Sequence, residues 1–189
     1  MEVLIVGDSF AAPSLSGAYG WPFLLAMKHN VTNLAQPGVG EFKILQQLCS
    51  VDPEDYDCTI VSHTSPYRIH TEHNPLYSDG HLYHNSDIIF ADVESKGHAE
   101  LAYYFKHVFD KNYYNFVFNS SIRAMEDALW GARVIHITHF EWSDDLYSLQ
   151  IENFYQLWLK NKGEYNHYNK KASQEIANII DKKLEETLQ

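Results

Sequence analysis

The chain has 189 residues, a hydrophobic fraction of 45% and a charged fraction of 21%, the profile of a folded globular domain rather than a disordered chain. Twenty-five acidic residues against 14 basic ones leave a formal charge of −11, which argues against nucleic acid as a partner because phosphate neutralisation needs a basic face. No apolar run reaches the length of a membrane span. Met1-Glu2-Val3-Leu4 has no basic region before its apolar stretch, so no secretory signal is expected. Cys49 and Cys58 are too few for a disulfide framework and point to a reducing, cytoplasmic setting.

Along the chain, apolar β-branched runs alternate with helical periodicity. Val3-Leu4-Ile5-Val6 reads as a strand buried on both faces and ends at Gly7. A helix is expected over 21–29, a strand over 31–35 and a helix over 42–48. Cys58-Thr59-Ile60-Val61 is the third strand. Helical patterns follow over 98–110 and 113–130, and Gly131 marks the stop before a strand over 133–137. In the last helix Ala172, Ile176, Ile179, Ile180 and Leu184 share one face, with Asn169 as N-cap. The pattern predicts one α/β domain over 1–189, a three-layer α/β/α sandwich on a mostly parallel, flavodoxin-like sheet. Residues 65–96 break the alternation and read as an insertion or lid over one end of the sheet. The aromatic run from Tyr103 to Phe118 is expected to pack as core.

Ligands of such sheets bind beyond the carboxyl ends of the strands. Gly7-Asp8-Ser9 lies there, and a serine at that turn is a nucleophile if a base accepts its proton. An isolated G-D-S is equally an ordinary turn, and Ala11 excludes the G-x-S-x-G elbow. The other end of the chain supplies a base. Glu164-Tyr165-Asn166-His167-Tyr168-Asn169 directly precedes the terminal helix.

Taken together, these blocks resemble the SGNH (GDSL-type) serine ester hydrolases, which pair an N-terminal G-D-S serine with a D-x-x-H loop near the C-terminus. The resemblance implies that Ser9 is the nucleophile and His167 the base. Glu164 stands where the family has its orienting Asp. Gly38, in Asn33-Leu34-Ala35-Gln36-Pro37-Gly38, matches the glycine whose N–H helps hold the oxyanion, alongside the N–H of Ser9. Thr64, in Ser62-His63-Thr64-Ser65, takes the place of the family's oxyanion Asn. His63, Arg68 and Trp142 are expected at the pocket, with Arg68 suited to an anionic group and Trp142 to stacking. The implied activity is hydrolysis of a small or carbohydrate-borne acyl ester, with no cofactor and no metal. Two rivals stand beside it. One is a catalytically impaired relative that binds a glycan or partner, since the family's Asn and Asp are both replaced. The other is a metal-dependent enzyme using His70, His73, His81 and His84.

Overall fold

The computed structural model describes residues 1–13, 20–141, 149–163 and 167–186. Five parallel strands form the sheet: β1 (Glu2–Gly7), β2 (Asn30–Asn33), β3 (Cys58–His63), β4 (Val134–Thr138) and β5 (Ile151–Asn153). Their order is β2-β1-β3-β4-β5, that of a flavodoxin-like α/β/α sandwich. Among the described residues the α-helices are α1 (Trp21–Ala26), α2 (Glu41–Leu48), α3 (Phe90–Lys96), α4 (Ala99–His107), α5 (Lys111–Ala128), α6 (Tyr155–Lys160) and α7 (Lys170–Glu186), with a short 3-10 turn at Pro53–Asp55.

The pleat of β1 sorts the core into two layers. Val3 and Ile5 pack with Trp21 and Leu25 of α1 and with Ile176, Ile180 and Leu184 of α7. Leu4 and Val6 point the other way, onto Ile44 and Leu48 of α2 and Ile122 and Met125 of α5. A strand apolar at every position is therefore what two covered faces require. The strand and helix expectations hold in kind, with shifted ends. Asp110 caps α5 by accepting the Asn112 N–H at 2.8 Å, and Asn169 caps α7 by accepting that of Ala172 at 3.0 Å. Among the described residues, α3, the three-residue edge strand β5, the six-residue α6 and the 3-10 turn Pro53–Asp55 lie beyond what the sequence predicts.

One packing expectation is corrected. Of the aromatic run only Phe118 is buried, while Tyr103, Tyr113 and Phe116 are more than half exposed. The others pair with one another across α4 and α5, as in the Phe109–Tyr114 stack at 4.3 Å, instead of entering the core. Residues 65–96 leave β3 and double back, with Ile69 and Ile88 exchanging both backbone hydrogen bonds at 2.9 Å. Among the described residues no helix is long and apolar enough to cross a membrane.

Candidate active site

The strand order reverses direction between β1 and β3, so the loops leaving these two strands open the crevice where ligands of such sheets bind. Ser9 follows β1 in a tight turn. Ala11 and Ala12 both donate to the Asp8 carbonyl, and the Phe10 N–H donates to Asp8 Oδ1 at 3.0 Å. Gln47 of α2 grips the strand end, accepting the Gly7 N–H at 2.8 Å and donating to the Gly7 carbonyl at 3.1 Å. The nucleophile candidate thus stands on a turn fixed from inside the protein.

Ser9, Gly38, Arg68 and His167 line one cleft of about 370 Å³, with Tyr77, Tyr83 and Trp158 among its walls. Among the described residues, no hydrogen bond joins Ser9 to His167. Such contacts commonly tighten only when substrate binds. Among the described residues, neither the Ser9 N–H nor the Gly38 N–H is committed to a backbone acceptor. His167 is half-buried, its ring 4.8 Å from that of Phe10, and its carbonyl accepts the Gly163 N–H at 2.6 Å. This second contact closes the loop between α6 and α7 that carries the histidine to the cleft.

Beneath Phe10 lies a neutral relay. His139 stacks on Phe10 at 4.6 Å, and burial, reinforced by His167, pushes its imidazole down to about 3. The Tyr168 hydroxyl donates to the Phe154 carbonyl at 3.2 Å and so accepts from His139 Nδ1 at 2.7 Å. His139 Nε2 is then the acceptor for the Ser62 hydroxyl at 3.2 Å. This assignment follows from the network, in which each proton has one place to go. His139 and Tyr168 hold the floor under His167, a role no local sequence signal marks.

Two expected pocket residues lie elsewhere. Thr64 was expected to donate to the oxyanion, yet it is buried away from the cleft wall and its hydroxyl donates to Asp8 Oδ2 at 3.0 Å. Arg68 Nε donates to the same hydroxyl at 3.2 Å, so Thr64 is part of the scaffold. His63 was expected at the pocket, but it is fully buried. Its Nδ1 lies 2.6 Å from Glu41 Oε1 and its Nε2 lies 2.9 Å from His136 Nδ1. Burial, with His63 alongside, pushes His136 down to about 3. Trp142 and Glu164 lie outside the described residues.

Asp8 is the electrostatic anomaly of the site. Burial drives its carboxyl up to about 6, against the opposing pull of Arg68, the Phe10 N–H and the Thr64 hydroxyl. Arg68 also donates through Nη1 to the Gly38 carbonyl at 3.1 Å, linking the serine turn to the glycine loop. The histidines of 70–84 are dispersed: His73 stacks on His84 at 4.8 Å, His81 stacks on Tyr77 at 4.7 Å, and His70 faces Asp87 at 3.2 Å. Among the described residues no three His, Cys, Asp or Glu side chains converge as a metal site would need. Trp158 and Tyr83 escaped the sequence reading because α6 and the 65–96 loop carry no strong periodicity. No protein-family model and no curated protein matches the chain.

Proposed function

We propose that the protein is a serine ester hydrolase of SGNH type that cleaves a small or carbohydrate-borne acyl ester. The observation that carries this reading is the shared cleft of Ser9, Gly38 and His167, assembled from the turn after β1, the loop after β2 and the loop before α7. In this reaction His167 takes the Ser9 proton and Ser9 Oγ attacks the ester carbonyl. The N–H groups of Ser9 and Gly38 receive the developing oxyanion. His167 returns the proton to the leaving alcohol, then activates the water that hydrolyses the acyl-enzyme. Glu164, three residues before His167, is the orienting acid in this reading. Arg68 offers its guanidinium to an anionic or polar substrate group, and the faces of Tyr77, Tyr83 and Trp158 suit a sugar ring.

Steady-state and burst kinetics on 4-nitrophenyl acetate and on acetylated sugars test the proposal. Wild type should release product with an initial burst, and Ser9→Ala and His167→Ala should each lose about 10³-fold or more in kcat. A folded wild type inert toward all of these esters would favour the non-catalytic binding reading, which the commitment of the Thr64 hydroxyl to Asp8 supports.

A further inference from the structure

The loop between β2 and α2 carries Gly38 and Gly40; its first residues still bond to β1, with the Leu34 N–H on the Ile5 carbonyl at 2.8 Å and the Gln36 N–H on the Gly7 carbonyl at 3.1 Å, but the stretch from Gly38 to Gly40 has left the strand. Its backbone groups therefore need partners from elsewhere. Residues 65–96 supply them. The Gly38 carbonyl accepts the Asp87 N–H at 3.0 Å, and the Gly40 N–H donates to Asp87 Oδ2 at 2.6 Å. A Cβ on Gly40 would come within 2.8 Å of that same oxygen, so the carboxylate occupies the space a side chain would take. Asp87 Oδ1 accepts the Thr71 N–H at 3.1 Å and faces Lys43 Nζ at 3.1 Å and His70 Nδ1 at 3.2 Å. Lys43, on α2, reaches back to the carbonyls of Thr71 and Asn85, each at 2.6 Å.

Both oxygens of a carboxylate only 1% exposed are thus spent, one on the Gly40 N–H and the other on the Thr71 N–H and the Lys43 ammonium. A buried charge is tolerated when its partners are this complete, and a charge-assisted bond to Gly40 is stronger than a neutral one. A loop with two glycines is otherwise conformationally free, and a free loop is a poor oxyanion donor, because that stabilisation depends on donors fixed before the reaction begins.

We propose that Asp87 is a positioning residue, holding the Gly38–Gly40 loop where the oxyanion of the ester reaction forms. The inference rests on the hydrolase reading above. It makes 65–96 a structural part of the active site and not only a cover.

The test is a kcat and KM comparison on 4-nitrophenyl acetate for Asp87→Ala, Asp87→Ser and Asp87→Asn. Oxyanion stabilisation acts in the transition state, so Asp87→Ala and Asp87→Ser should lose about 10- to 100-fold in kcat with KM within about twofold. Asp87→Asn keeps an acceptor for the Gly40 N–H but turns its NH2 toward the Thr71 N–H and Lys43 Nζ, so it should recover part of that loss. Wild-type activity with Asp87→Ala at full kcat, with the loss confined to KM, or with no rescue by Asp87→Asn overturns this inference alone. Wild type inert toward esters overturns the hydrolase reading and this inference with it. Should the variants not fold, amide exchange in wild type decides: a protected Gly40 N–H is expected, and exchange at the rate of an open loop overturns the proposal.

Discussion

The Thr64 hydroxyl donates to Asp8 Oδ2 at 3.0 Å, tying the loop after β3 to the residue beside Ser9. A hydroxyl has one proton, and here that proton faces a buried carboxylate. Thr64→Val should therefore cost less than about tenfold in kcat, whereas removing a true oxyanion donor costs about 10²- to 10³-fold. Its main effect should be a stability loss of about 1–3 kcal/mol, read by urea denaturation, as Asp8 loses a buried donor. A catalytic loss in the larger range would return Thr64 to the oxyanion hole.

Asp8 gives the protein a pH signature of unusual sign. Its carboxyl has a reference value of 3.8 and is raised to about 6 in the fold. Between those values the folded chain holds a proton that the unfolded chain has released, so this group's contribution to stability is lost as pH rises from about 4 to about 6. The rise corresponds to about 3 kcal/mol. Asp8→Asn stays neutral and can still meet both Thr64 and the Phe10 N–H. Its stability relative to wild type should increase from pH 4 to pH 7 by up to that amount in paired denaturation curves. Parallel curves across this range would contradict the assignment.

Gly38 has φ of +70°, and a Cβ there would lie 2.7 Å from the Cβ of Ser86. Strain and collision act together, so Gly38→Ala should lower stability by about 1–3 kcal/mol and depress kcat with it. An unchanged urea midpoint would show that the loop can move aside.

The Tyr168 hydroxyl serves two partners, the His139 ring and the Phe154 carbonyl. Tyr168→Phe leaves the buried His139 Nδ1–H without its acceptor, while the Phe154 carbonyl keeps the Trp158 N–H at 2.9 Å, and should cost about 1–3 kcal/mol. Because His139 supports Phe10, and Phe10 packs on His167, kcat should fall as well. Loss of stability with undiminished kcat would separate this floor from the chemistry.

Legibility in the sequence followed the range of the interactions. β1 was readable because Val3 to Val6 are apolar at every position, a pattern set by two covering layers. The cap at Asn169 was readable because a cap is local. β5 and α6 were not, since three and six residues are too short to show a period and are held by neighbours. Ser9, Gly38 and His167, which share the candidate cleft, were legible as motif residues at strand and helix ends. The Asp8–Thr64 bond and the Asp87 clamp were not, because each joins loops distant in sequence and no local pattern marks the partner. The aromatic run misled for a related reason. Its rings satisfy one another between two outer helices, a choice that composition does not reveal.

Whether Ser9 is an activated nucleophile is decided most directly by a fluorophosphonate probe, read by intact mass and peptide mapping. One adduct per chain is expected, on Ser9, absent in Ser9→Ala and strongly slowed in His167→Ala. A folded wild type that takes no adduct, or labelling that survives Ser9→Ala unchanged, would contradict a serine hydrolase.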